Sequence, residues 1–366
     1  MRQLEPTKDQ SFQHSVKILT EDKANVRQVT MVNAKFNILD VSSIVKQIAE
    51  SQSVVLSTHK QCDGDGLGAM LGLHHALKKA GKQVRSITVD GVAGKYEFLE
   101  PDLHIENFEK LKTPFREYDL ALIFDTNDRR LVSPLFEELE KHCKTVLFID
   151  HHPVLNQGPV PTPGSFIDTS AASTGEISYF IIKNLGIDID EKIARALYTS
   201  LAFDTQIFKY VKNSPNTHMI CAELLAYEKQ ADKIHRALFS NYTRKKITYL
   251  GKVLSETEYL CDDRIAILNL SLKDLTDHEL DMDDARDVID MIMSVNTVQA
   301  AALVREDAKD NFKLSLRSKG RMEVLSIAES FGGGGHMFAS GAQVNLPYGE
   351  IREKLVRHFL SRVDQK

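Results

Sequence analysis

Asp150-His151-His152 follows directly on the apolar run Val146-Leu147-Phe148-Ile149. A carboxylate and two imidazoles in succession are costly to leave in a core and well suited to a divalent cation. Three more such positions precede or follow. His59-Lys60-Gln61-Cys62-Asp63-Gly64-Asp65-Gly66 comes after Val54-Val55-Leu56-Ser57-Thr58, Asp125 after Leu120-Ala121-Leu122-Ile123-Phe124, and Asp204 after the stretch 196–203. Each acid or imidazole stands where an apolar element ends. An open α/β sheet builds a site in this way, at the carboxyl edge of its strands. His59, Asp63, Asp65, Asp125, Asp150, His151, His152 and Asp204 are therefore the candidate ligands. One ion with bound water needs about three or four protein ligands, and two ions sharing a carboxylate about seven. Carboxylates with imidazoles and no thiolate suit Mn²⁺ or a similar ion better than a structural zinc site. Asp63 and Asp65, one residue apart in an extended loop, face opposite ions, with Gly64 and Gly66 allowing tight turns. Cys62 reads as a small residue in that loop.

A second chemical feature is Gly332-Gly333-Gly334-Gly335-His336. Four glycines leave backbone amides free to approach an anion, and a helix starting near His336 would add its positive end. The imidazole suits a phosphate or a base. Arg317, ending the strand run Phe312 to Leu316, offers a bidentate phosphate contact. Ser173-Thr174-Gly175-Glu176 reads as a helix cap, and His74-His75, mid-helix, as structural.

The elements that must hold these residues alternate. Strands are predicted at 53–58, 84–89, 118–124 and 145–149. Helices are predicted around 67–77, ending at Gly81, from Thr174 to Asn184, and from Asp190 to Phe203. This rhythm predicts a parallel sheet covered on both faces. Residues 156–165 form a Pro- and Gly-rich loop, and 215–258 read as helical. Beyond lie strands at 264–272, 298–306, 312–318 and 342–346, and helices at 283–295, 322–330 and 348–362. Asp310-Asn311 marks a hairpin turn. The expected fold is α/β with two domains: an N-terminal parallel-sheet domain and a smaller C-terminal α/β domain, joined by a helical connector. The boundaries are an N-terminal extension at 1–40, with one strand near Val26 to Val32, a catalytic domain at 41–227, the connector at 228–258 and the second domain at 259–366.

The 366 residues suffice for two cores. A net charge of −5 gives no overall attraction for polyanions. The four cysteines form no CxxC pair, which excludes a disulfide framework and fits the cytoplasm. No apolar run reaches the roughly 18 residues of a membrane span, so no membrane partner is expected. A homodimer is compatible with the composition.

In this order, His-xxx-Asp-x-Asp, the strand-end Asp125, Asp-His-His and the later Asp204 resemble the DHH phosphoesterase superfamily. The Gly-Gly-Gly-His run is similar to that of the DHH-associated C-terminal domain. The likeness spans about residues 45 to 362, and within the superfamily it is greatest to the nano-RNase/oligoribonuclease branch. The resemblance implies an Mn-dependent phosphodiesterase or phosphatase with two divalent cations, hydrolysing very short single-stranded RNA or dinucleotides in a cleft between the domains, and also the nucleoside bisphosphate 3′-phosphoadenosine 5′-phosphate. It implies His59 and Asp63 on one Mn²⁺, Asp65, His151 and Asp204 on the other, Asp125 bridging, and Asp150 as a further ligand or its support. His152 would contact the scissile phosphate, while His336, Gly332 to Gly335 and Arg317 grip the nucleotide. The chain departs from the family pattern at Cys62, Ala69 and the segment 337–341, none of them a presumed ligand. The rival readings are a cyclic-di-AMP or linear-dinucleotide phosphodiesterase, and a non-catalytic nucleotide sensor.

Overall fold

The computed structural model describes residues 36, 38–99, 105–111, 115–155, 158–212, 215–280 and 287–363. The expected strand at 26–32 lies outside them. The chain divides into two compact units between Ala231 and Asp232.

The first unit runs α1 (Ser42–Glu50), β1 (Ser53–Thr58), α2 (Gly64–Lys79), β2 (Gln83–Thr88), β3 (Glu106–Asn107), β4 (Tyr118–Phe124), α3 (Leu135–His142), β5 (Cys143–Asp150), β6 (Phe166–Ile167), α4 (Thr174–Asn184), α5 (Glu191–Asp204) and α6 (Asn216–Leu224). The six strands are all parallel, in the order β3-β2-β1-β4-β5-β6. The order reverses between β1 and β4, which stay paired to Thr58 and Phe124, and the connections that leave their carboxyl ends run to opposite sides, the place where such a sheet forms a crevice. The central strands read as unbroken apolar runs because both faces are covered. On one face Val55, Ile87, Ala121, Ile123 and Phe148 pack against Leu135, Phe136 and Leu139 of α3. On the sheet, α2 packs against both α4 and α5.

A close helix pair sets the geometry behind the crevice. A Cβ added at Gly64 would lie 2.7 Å from the Phe203 ring, at Gly68 2.4 Å from the Ala196 carbonyl, and at Gly72 2.6 Å from Leu197. These i, i+4 glycines give α2 a bare stripe against α5. Gly64 and Gly66 are helical and neither has a positive φ, so the expected tight turns are replaced by close packing. Gly66 meets the end of β1: a Cβ there would sit 2.2 Å from Thr58 Oγ1.

The second unit contains most of α7 (Ala231–Phe239), then α8 (Arg244–Ser255), β7 (Glu258–Leu260), β8 (Ile265–Leu270), α9 (Leu272–Asp277), α10 (Asp287–Met293), β9 (Ala300–Ala308), β10 (Asn311–Ser318), α11 (Leu325–Ser330), β11 (Gly334–His336), β12 (Ala339–Val344) and α12 (Tyr348–Val363). Its mixed sheet has the order β11-β12-β10-β9-β8-β7, parallel only between β8 and β9. One face packs Phe312, Leu314 and Leu316 against α12 through Ile351, Leu355 and Phe359. The other packs Ala266, Leu268 and Leu303 against α8 and α10.

Three expectations are corrected. Residues 215–258 are three helices with breaks, not one connector, and α8 belongs to the second core through Tyr249, Leu250 and Val253. The hairpin turn is Lys309-Asp310, with Asp310 at φ 56° and Asn311 already in β10. The glycine run does not open a helix. It follows the end of α11 and becomes the edge strand β11, paired antiparallel with β12.

Candidate active site

The crevice at the strand-order reversal collects residues from five elements. His59 follows β1. Its Nδ1 lies 2.7 Å from the Lys60 carbonyl, which fixes the N–H there and turns Nε2 inward. Nε2 is 3.9 Å from Asp63 Oδ1 and 3.5 Å from Asp125 Oδ2. Asp63 is the cap of α2, accepting from the backbone N–H of Asp65 and Gly66, and Asp65 lies in the first helical turn. The two aspartates therefore diverge from a helix start and not from an extended loop.

Asp125, just past β4, is buried and held at φ 61°. A left-handed backbone at a non-glycine residue is uncommon and collects at functional sites. Its two oxygens are shared out: Oδ2 faces His59, while Oδ1 lies 3.7 Å from His151 Nε2 and 3.5 Å from His152 Nδ1.

His151 follows β5. Its Nδ1 is 3.2 Å from the Ala171 carbonyl and 3.4 Å from Lys212 Nζ, and Lys212 also donates to the Thr169 carbonyl. The nearer carbonyl takes the Nδ1 proton, which leaves a lone pair on Nε2. That atom is buried without a hydrogen-bond partner, 3.5 Å from Asp65 Oδ2 and 3.4 Å from Asp204 Oδ2. Asp204 is the last residue of α5, at the end of the helix expected from Asp190 to Phe203.

His59, Asp63 and Asp125 form one group able to hold a metal ion; Asp65, His151 and Asp204 form a second; Asp125 also groups with His151 and His152. The charges suit such a guest. Burial and the neighbouring Asp65 push Asp125 well above the usual carboxylate range. The same two causes raise Asp204 to about 8. Burial would lower His59, but the Asp125 and Asp63 carboxylates overcome it and hold the imidazole up at about 11. Burial lowers His151. Crowded carboxylates facing inward imidazole lone pairs are stabilised by protons or by metal cations. The donor set, oxygen and nitrogen without sulfur, fits a divalent ion. Cys62 stays outside every group, its thiol pushed up to about 12 by burial and by Asp90 and Asp63.

Asp150 stands apart. It is fully buried and belongs to none of the three groups. Oδ1 accepts from the backbone N–H of His151 and His152 and lies 2.9 Å from His152 Nδ1, while Oδ2 accepts from Asn127 Nδ2 at 2.6 Å. Its visible partners make it a clamp on the two histidines, and a ligand role is not supported by this placement. Nδ1 is held by Asp150 and the His152 ring is half exposed.

Sequence reading missed the hands that hold these carboxylates. Asn127 ties Asp150 to the His152 carbonyl at 2.9 Å. The start of α4 does more than cap: Thr174 N donates to Asp65 at 2.9 Å, Gly175 N at 3.3 Å, and the Thr174 hydroxyl reaches Asp125 Oδ1 at 3.2 Å. Ser200 Oγ on α5 also donates to Asp65. The Ser-Thr-Gly-Glu start was legible; that its free amides would receive a carboxylate was not.

In the second unit, Arg317, Gly333, Gly334 and Gly335 line one cavity of about 510 Å³. Arg317 is the penultimate residue of β10, near the strand end as expected, and donates to the Leu316 carbonyl. Gly332 (φ +77°) and Gly335 (φ +137°) need glycine for their backbone angles. His336 pairs with Ala339 in the edge ladder, and its side chain lies outside the described part of the structure.

Residues 53–201 match the DHH family, N-terminal domain, and 262–366 match the DHHA1 domain. A bifunctional oligoribonuclease and PAP phosphatase NrnA of Thermus thermophilus is 28% identical, over 79% of this chain and 83% of its own. Its namesake in Bacillus subtilis is 23% identical over 83% and 93%. A probable bifunctional oligoribonuclease and PAP phosphatase NrnA of Streptococcus mutans is 26% identical over 82% and 92%. Among solved structures, an exopolyphosphatase-related protein from Bacteroides fragilis shares the fold, with a TM-score of 0.80 at 23% identity over 87% of this chain and 95% of its own.

Proposed function

From the premise that this chain belongs to the DHH family and carries a DHHA1 domain, we propose that it hydrolyses very short oligoribonucleotides to mononucleotides, and nucleoside 3′,5′-bisphosphates as well. The observation that carries this reading is the division of the Asp125 carboxylate, one oxygen toward each of two ligand groups. That arrangement fits a pair of divalent cations, for which the mixed imidazole and carboxylate donors favour Mn²⁺. His59 and Asp63 would hold one, Asp65, His151 and Asp204 the other, with Asp125 between them. Such a pair, when bound, supplies an acidified water and offsets charge on a phosphate.

The protein's own residues do the rest. Thr174, Gly175 and Ser200 fix the Asp65 carboxylate, so its free lone pairs point one way. Asp150 and Asn127 fix the His152 ring, whose Nε2 donates to a phosphate oxygen. In the second unit, Arg317 and the glycine strand hold a nucleotide phosphate. The described helices include none long and apolar enough to cross a membrane, and all four cysteines are free, which supports a reducing cytoplasm.

The test is a hydrolysis panel with Mn²⁺, Mg²⁺ or chelator: 2- to 24-residue RNA and DNA, cyclic and linear di-adenylate, adenosine 3′,5′-bisphosphate and pyrophosphate. Metal-dependent release of mononucleotides from the shortest RNAs is expected. Nucleotide binding without hydrolysis under any metal would make the protein a sensor and remove the proposal.

A further inference from the structure

The two ligand groups are supported differently. Asp65 and His151 of the second group are held from other elements, by Thr174, Gly175, Ser200 and the Ala171 carbonyl. His59 and Asp63 of the first group lean on their own segment, through the Lys60 carbonyl and the amides of Asp65 and Gly66. Whatever fixes the segment 59–63 against the sheet therefore acts on both ligands at once. Two bonds cross from it, one toward each strand that flanks β1. Beyond β4, the Leu131 carbonyl accepts from Lys60 N at 2.8 Å. Beyond β2, Asp90 Oδ2 accepts from Gln61 N at 2.9 Å. The first bond is backbone to backbone, and the second depends on a single side chain.

The bond at Gln61 falls at a strained place. Gln61 has a φ of 52°, a left-handed angle uncommon for any residue but glycine. Such a residue persists where its surroundings over-determine it. It stands midway between His59 and Asp63, whose ligand atoms must meet with that of Asp125.

Asp90 itself is costly for what it visibly does. It lies two residues past β2, and its Oδ1 is buried without a hydrogen-bond partner. An unpaired buried oxygen is unfavourable, and a hydroxyl could accept from one amide without leaving a second oxygen unpaired. A carboxylate adds strength, because a hydrogen bond to an ionised acceptor is roughly twice as strong as a neutral one. Asp90 joins none of the three ligand groups. Burial, then Asp90 and Asp63, pushes the Cys62 thiol up to about 12, so both carboxylates lie close to that residue.

The geometry points to Asp90 as a positioning residue: through the Gln61 amide it sets the turn that keeps His59 and Asp63 together on Asp125, and with it the affinity of the first group for a cation. The second group, with supports of its own, does not depend on it. This rests on the proposed pair of divalent cations.

The experiment is titration of the metal-free full chain with Mn²⁺, followed by calorimetry and electron paramagnetic resonance, together with hydrogen exchange of the metal-free protein. The native chain should bind two ions, and the filled pair should give the exchange-coupled spectrum of neighbouring Mn²⁺. Asp90→Ala should bind one ion at native affinity and the other about 10- to 100-fold more weakly, the usual loss when a ligand's support is removed. At the concentration that fills the native pair, its spectrum should be that of uncoupled Mn²⁺, and its residues 59–63 should exchange faster than the native ones before any metal is added. Asp90→Asn keeps an acceptor for the Gln61 amide and should lie between the two in affinity and in exchange. Two ions at native affinity in Asp90→Ala would overturn the inference and leave the cation pair standing. Equal weakening of both ions would overturn it too, as would an Asp90→Asn as weak as the alanine variant with residues 59–63 still protected. A native chain that binds no second ion would remove the proposed pair, and the inference with it.

Discussion

At Asp125 shape and charge can be separated by one atom. Asparagine tolerates the left-handed backbone as well as aspartate does, so Asp125→Asn keeps the φ of 61° without added strain. It removes the charge shared between His59 and His151. The variant should melt at or above the native temperature yet lose metal and at least about a hundredfold in kcat, and Asp125→Ala should lose as much. Native turnover in either would dismiss the bridging role. His152→Ala makes a contrasting case, because its ring is half exposed and its proposed partner is the phosphate, not a metal. It should keep its metal, measured by elemental analysis, and lose about 10²- to 10⁴-fold in kcat. Loss of metal from His152→Ala would mean that the roles of the two histidines are exchanged. Asn127→Ala leaves a buried carboxylate short of a donor and frees the His152 ring, so about 10- to 100-fold should be lost in kcat with KM little changed. A KM effect alone would make Asn127 merely structural. The metal-side residues were legible because each ends an apolar run, where a charged group has no structural reason to be. Asn127 and Thr174 gave no such signal, since Asn and Thr are ordinary residues of turns and helix starts.

Helix α2 carries the candidate ligand Asp65 on one end and a bare glycine stripe along its flank. Gly68 is the test of that stripe. A valine there would press on the Ala196 carbonyl and the Ser200 amide, both backbone, so α2 must move away from α5. The expected loss is about 1–3 kcal/mol of stability, read by denaturant unfolding. Metal affinity should fall as well, because Ser200 and Asp204 ride on α5 while Asp65 rides on α2. A stability loss with metal affinity intact would show that the helix pair does not set the site. Elements were legible in proportion to their length and burial. The central strands announced themselves as continuous apolar runs. The short strands β3 and β6 and the edge strand β11 are two or three residues long, too brief for any period to register. The helical reading of 215–258 was sound in kind. Its division was hidden because the breaks at 225–230 and 240–243 contain neither Gly nor Pro.

Over the whole molecule the net charge is −5, and of the second unit's Lys and Arg residues Arg305, Lys313 and Arg317 alone line its cavity. Affinity for RNA then comes from a handful of phosphates. Turnover should be fastest on RNAs of roughly two to five residues, with a shallow dependence on salt, since few counterions are released. Equal rates on a dinucleotide and a 24-residue strand, or a steep salt slope, would point to a long groove instead. Two units could be read from the change in strand rhythm past residue 258; the assignment of α8 could not, because its apolar face names no partner until the sheet beneath it is known. The order of the ligands along the chain has one more outcome, and it concerns synthesis. Asp65 and Asp204 are about 139 residues apart, and the candidate group of Asp65, His151 and Asp204 is complete only once α5 has been made. At roughly 5–20 residues per second a ribosome takes about 7–30 s to cover that distance. Throughout that interval this group lacks its last carboxylate, so the second of the two proposed cations would be captured late in the life of each molecule, after the His59, Asp63 and Asp125 group is already made.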